Sequence, residues 1–112
     1  MSLFETRERA FEARFAHDED LRFRACARRN RKLAAWAAER RALCADEMVA
    51  YELFIIQLGA FYGDQGVRER LLHDLEKAGK PISEHRIRRM MDDGMAAEMA
   101  PPFRSRDDHA RH

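Results

Sequence analysis

Between His17 and Glu39 the charge of the chain changes sign abruptly. Asp18, Glu19 and Asp20 stand together, and Arg22, Arg24, Arg28, Arg29, Arg31 and Lys32 then follow with no acidic residue before Glu39. On a helix Arg24, Arg28 and Arg31 fall at i, i+4 and i+7. They make one cationic stripe without the acidic neighbours that normally support such a face. Like charges in a row repel, so three readings stand: a solvated face, a surface for an anion or acidic protein, or a nucleic-acid contact. Arg86, Arg88 and Arg89 form a second cluster near a helix start, where the helix dipole disfavours positive charge. Lys and Arg number 21 against 20 for Asp and Glu, a formal net charge of +1. That balance lacks the basic excess of a nucleic-acid binder, and neither a reading helix nor an aromatic stacking platform is present. Nucleic acid is therefore the weakest of the three.

Constellations for catalysis are absent from the sequence. It contains no Gly-rich phosphate loop, no nucleophile elbow and no Ser/His/Asp set in a recognisable context. His73 and His85 flank a predicted turn and read as surface or packing residues rather than ligands. Cys26 and Cys44 form no CxxC pair and no zinc-type spacing with histidine. On one straight helix they would lie about 27 Å apart, beyond disulfide reach, which predicts reduced thiols. No apolar run approaches membrane-spanning length and no signal-type segment follows the start, so the expectation is a non-catalytic, metal-free, cytoplasmic protein without membrane insertion.

The other feature with binding chemistry is aromatic. Phe4, Phe11 and Phe15 fall within about 40° of one another on a helix, amid Glu5, Arg7, Glu8, Arg9, Glu12 and Arg14. Such a stripe either docks onto the rest of the fold or serves as an anchor for a partner's groove. Periodicity alone favours docking.

The elements that must position these residues are helices. Only seven residues are Val, Ile or Thr while alanines number 18, a bias that favours helix strongly over strand. Neither Gly nor Pro occurs before Gly59, so divisions must be read from caps. Ser2 with Glu5 is a capping-box pattern opening a first helix at about Leu3, and Asp18 is the expected N-cap of a second that runs to about Leu43. Its inward face is expected to carry Cys26, Asn30, Leu33, Ala37 and Cys44. A third, apolar almost all round, spans about Asp46 to Leu58. GAFYGDQG is the expected loop, with Phe61 and Tyr62 folding back on the core. A fourth helix covers about Gln65 to Ala78, with Val67, Leu71, Leu72 and Leu75 inward and Gly79 as its stop. Ser83 caps a fifth, with Ile82 and Ile87 placed as a hydrophobic staple, and Pro101-Pro102 end it. Residues 101–112 read as a disordered tail. The expectation is an all-α fold, a small four-helix bundle (19–100) preceded by an amphipathic, detachable N-terminal helix (1–18).

Two strings carry a family resemblance: FETRERAFEARFAHDEDLRFRACARRNRKLAAWAAE, and later the pattern DLEKAG-IS-H-IRR-MD between Asp74 and Asp92. The first is similar to the R-x-x-A-F-E-x-x-F-A-H-D-E-x-L-x-F-x-A-x-A-R-R-N motif of the zeta subunit, an inhibitor of the alphaproteobacterial F-type ATP synthase. It covers Arg7–Asn30, with Cys26 in place of a commoner acidic residue. The resemblance implies a mobile N-terminal segment, about Met1–Asp18, that enters the catalytic head between its alpha, beta and gamma subunits. There it becomes helical and blocks rotation in the ATP-hydrolysing direction. Phe4, Arg7, Phe11, Arg14, Phe15, His17 and Asp18 would then be the partner-binding residues. The resemblance also implies ADP or ATP as a regulatory ligand, with no cofactor required; Arg28, Arg29 and Lys32 are the phosphate candidates. The protein would sit peripherally on the inner-membrane synthase. Tyr51–Gly66 is more apolar than the corresponding stretch of the family, and Gly94 replaces a larger apolar residue. The second functional reading is a nucleotide- or anion-responsive helical adaptor that uses the Arg stripe without inhibiting the synthase.

Overall fold

Helix formers without an interior breaker give long helices. In the computed structural model, which describes residues 2–101, three are present: α1 (Leu3–Arg40), α2 (Ala45–Lys77) and α3 (Glu84–Met99). The fold is all-α. The expected count of a leading helix plus four is corrected to three, because Asp18 does not interrupt α1 and the expected loop in α2 shrinks to a bend at one residue.

The first is Asp18. The Ser2 hydroxyl accepts the Glu5 N–H at 3.2 Å, and from there α1 runs unbroken for 38 residues. Asp18 lies inside it. A residue suited to capping does not end a helix when its neighbours are Ala, Arg, Glu and Leu and no Gly or Pro intervenes. The helix stops instead at a Schellman-type turn, in which the N–H of Leu43 donates to the carbonyl of Ala38 and that of Ala42 to Glu39. Ala42 takes the left-handed position there, at φ 59°, which glycine usually fills.

The second is GAFYGDQG, expected to be a loop. It is helical except at Gly63, whose φ of 70° and ψ of −166° lie outside any helix. That combination is essentially confined to glycine, and it folds α2 back on itself. The Tyr51 hydroxyl donates to Asp74 at 2.7 Å, although 23 residues on a straight helix would separate them by about 34 Å. A single residue thus replaces the loop. Phe61 and Tyr62, at the tip of this hairpin, are 82% and 72% exposed rather than folded onto the core.

At the end of α2, Gly79 occupies the same capping position as Ala42 does after α1, with Lys80 donating to Leu75. Ser83 then caps α3 by accepting from the N–H of Arg86 at 3.1 Å. Ile87 is buried and Ile82 packs against the core, as the staple pattern predicts.

The core joins Leu33, Ala34, Ala37 and Ala38 of α1 to Tyr51, Ile55, Val67, Leu71 and Leu75 of the two α2 arms and to Ile87 and Met91 of α3. Small alanines on α1 let the other helices approach closely. Gly94 has a similar reason: a Cβ there would lie 3.0 Å from the Arg29 Cγ, so α3 rests on the stem of Arg29. The first arm of α2 buries less than its composition suggests. Val49, Leu53 and Phe54 remain exposed.

Candidate partner-binding surface

The helix α1 has two parts with different surroundings. Its first buried residue is Ala25, and every residue from Ser2 to Arg24 is exposed. Glu19, Arg22 and Phe23 still border a cleft with the tip of the α2 hairpin, so the first 16 helical residues (3–18), roughly 24 Å of rod, project from the packed region. Phe4, Phe11 and Phe15 are 74%, 71% and 60% exposed. The stripe does not dock onto the bundle, which corrects the expectation from periodicity. Arg7, Arg14, His17 and Asp18 lie on the same arm, all exposed. The rod holds its helical form without packing because it continues a helix already nucleated by its buried half, and extension is easier than initiation.

The basic run beyond the arm is not one surface. Arg24 pairs with Asp20 one turn earlier, at 3.1 Å. Arg28 and Lys32 converge on Glu98 of α3, at 3.3 and 3.2 Å. Arg29 points elsewhere. It is 3% exposed and donates to the side-chain amide oxygen of Asn30 and to both carboxylate oxygens of Asp64. Of the three phosphate candidates, the structure brings Arg28 and Lys32 together and separates Arg29 from them. Each already faces a carboxylate of the same chain.

Asp64 follows the Gly63 bend directly, so the Arg29–Asp64 pair ties α1 to the tip of the α2 hairpin. The hydrogen bonds from Arg29 hold the Asp64 carboxyl below the usual carboxylate range, and the nearby charges of Arg29, Arg22 and Arg68 act in the same direction. The second tie is inside the hairpin, where Asp74 accepts from Tyr51 and, at 3.0 Å, from Arg70. Burial, with the Asp74 carboxylate alongside, pushes the Tyr51 hydroxyl well above its ordinary pKa, so it remains a donor.

Asp64, Asp74 and Glu98 are the residues that sequence reading missed. Each neutralises a cation, but Glu98 lies 66 residues from Lys32 and Asp64 35 from Arg29. No local spacing rule reaches that far. The absence of acids among the arginines was the available signal: the compensating charges had to come from other helices. His73 and His85 are both exposed, and Cys26 and Cys44 are free thiols.

The structure thus combines a projecting aromatic rod with a packed helical body in which Arg28, Arg29 and Lys32 face carboxylates of the same chain. No curated protein and no solved structure matches the chain. The family model described as ATPase inhibitor subunit zeta, however, matches residues 1–100, rod and body together. On that match, which spans nearly the whole sequence, the chain belongs to the ATPase inhibitor subunit zeta family.

Proposed function

We propose that the projecting arm of α1 inhibits ATP hydrolysis by the head of an F-type ATP synthase. It enters between the alpha, beta and gamma subunits and obstructs rotation in the hydrolysing direction. The observation that carries this reading is the exposure of Phe4, Phe11 and Phe15 on an arm with no buried residue. Membership of an inhibitor family supports it. Burying a phenylalanine side chain contributes about 1.5–3 kcal/mol, so three on one stripe supply enough to hold a rod in a groove. Arg7, Arg14, His17 and Asp18 would contact the walls. In this scheme residues 1–18 are the inhibitory segment and 19–100 the body that carries it. The expected tail, 101–112, lies outside the described residues beyond Pro101. The protein acts as a regulator rather than an enzyme, peripheral to the inner-membrane synthase on its cytoplasmic side. Among the described residues no helix is long and apolar enough to cross a membrane.

A regulatory ADP or ATP belongs to the same proposal. Its phosphates would replace the Glu98 carboxylate on Arg28 and Lys32, so Glu98→Gln is expected to tighten nucleotide binding in a calorimetric titration. Equal or weaker binding by that variant would remove these two cations from the nucleotide site.

The test of the main reading is hydrolysis by the isolated head. Full-length protein should lower it, and protein lacking residues 1–18 should not, while keeping a cooperative thermal transition. Undiminished hydrolysis at micromolar full-length protein would refute the proposal.

A further inference from the structure

The charges beside the aromatic stripe are segregated. Because α1 is continuous, positions around its axis follow from about 100° per residue. Relative to the mean direction of Phe4, Phe11 and Phe15, Arg7 and Arg14 lie about 60° and 80° to one side. On the other side, Glu8, Glu19, Glu12 and Glu5 lie at about 40° to 100°. All six side chains are exposed. Along residues 4–15 the stripe therefore has one cationic edge and one anionic edge. Asp18 joins the cationic edge only where the arm nears the body.

Support of the helix accounts for only part of this arrangement. Glu8 and Glu12 stand at i, i+4, where like charges repel, and Arg7 has no acid three or four residues away, although Arg14 has Asp18 at i+4 and Arg9, behind the anionic edge, has Glu5 and Glu12 within one turn. Charges placed for internal support would alternate along each edge. Edges of uniform sign on an exposed apolar stripe suit an external surface of opposite polarity on each side.

We infer that the arm reads a groove with an apolar floor and two oppositely charged walls. An acidic wall faces Arg7 and Arg14, and a basic wall faces Glu5, Glu8 and Glu12. The inference rests on the inhibitory reading above and deepens it. The stripe supplies affinity, while the two edges fix the rotation of the rod about its axis and its direction of entry. A rod turned end for end would set each edge against a wall of its own sign.

The experiment exchanges the edges without changing composition of charge. The variant Arg7→Glu, Arg14→Glu, Glu8→Lys, Glu12→Lys keeps the net charge, the Phe stripe and the first-turn Glu5. Because all four positions are exposed, the thermal transition should be unchanged. Against the synthase head, the exchanged variant is expected to inhibit at least tenfold more weakly than the unaltered chain. Raising ionic strength should weaken the unaltered chain and narrow the difference. If the unaltered chain inhibits and the exchanged variant matches it, the two-walled groove is overturned and the inhibitory reading stands. If the unaltered chain does not inhibit, both fall.

Discussion

Arg29 shows how one side chain can be mistaken for a binding residue. In sequence it belongs to a basic run; in the fold it is a buried cation whose charge is met by Asn30 and Asp64. Removing the partner while keeping its shape, Asp64→Asn, should destabilise the protein by about 1–2 kcal/mol in urea unfolding at neutral pH. That is the scale of a lost hydrogen bond to a charged group, moderated by the solvent around Asp64. The same pair gives a pH dependence of definite sign. Asp64 has a lowered folded-state pKa, so its stabilisation is fully present above the unfolded value of about 4 and is lost as pH falls below it. Stability curves of the unaltered protein should fall more steeply below pH 4 than those of Asp64→Asn. Parallel curves would show that the pair contributes nothing to acid sensitivity.

At the level of elements, two backbone positions test the account in opposite directions. Gly63 holds a conformation that other residues adopt only with strain, and nothing lies within 4 Å of a Cβ built there. The cost of Gly63→Ala is therefore conformational rather than steric, about 1–3 kcal/mol. Ala42→Gly should stabilise by about 1 kcal/mol, because alanine occupies the left-handed cap position that glycine takes without penalty. Thermal melts of the two variants should shift to opposite sides of the parent. The elements themselves were largely legible in the sequence. Ser2, Ser83 and Gly79 mark three helix ends correctly, and Val67, Leu71, Leu75 and Ile87 are core where periodicity puts them. What misled was the reading of Asp18 as an interruption and of all of GAFYGDQG as loop, where only Gly63 leaves the helix. A capping residue is compatible with a helix interior, and a glycine-rich stretch can compress a turn into one residue. An apolar run does not by itself say which of its faces is core, and Val49, Leu53 and Phe54 stay exposed although they belong to the most apolar run of α2.

The whole molecule is far from spherical. Its extents are 62 × 43 × 29 Å and its radius of gyration is 18.3 Å, against about 13 Å for a compact domain of this length. The excess comes from the first half of α1, which adds length without burial. That feature could not be read from the sequence, because a phenylalanine stripe has the same periodicity whether it meets its own bundle or another protein. Binding residues named from the family resemblance fall together on this arm, from Phe4 to Asp18, whereas the three proposed for phosphate divide between Glu98 and Asp64. The central claim is that the exposed stripe, and nothing in the body, carries inhibition. It is tested most directly with the triple variant Phe4→Ala, Phe11→Ala, Phe15→Ala, comparing its inhibition of ATP hydrolysis by the synthase head with that of the unaltered chain. Each interface anchor is worth about 2 kcal/mol, so the variant should be more than a hundredfold weaker while melting at the same temperature. A variant that melts normally and inhibits as well as the parent would contradict the account.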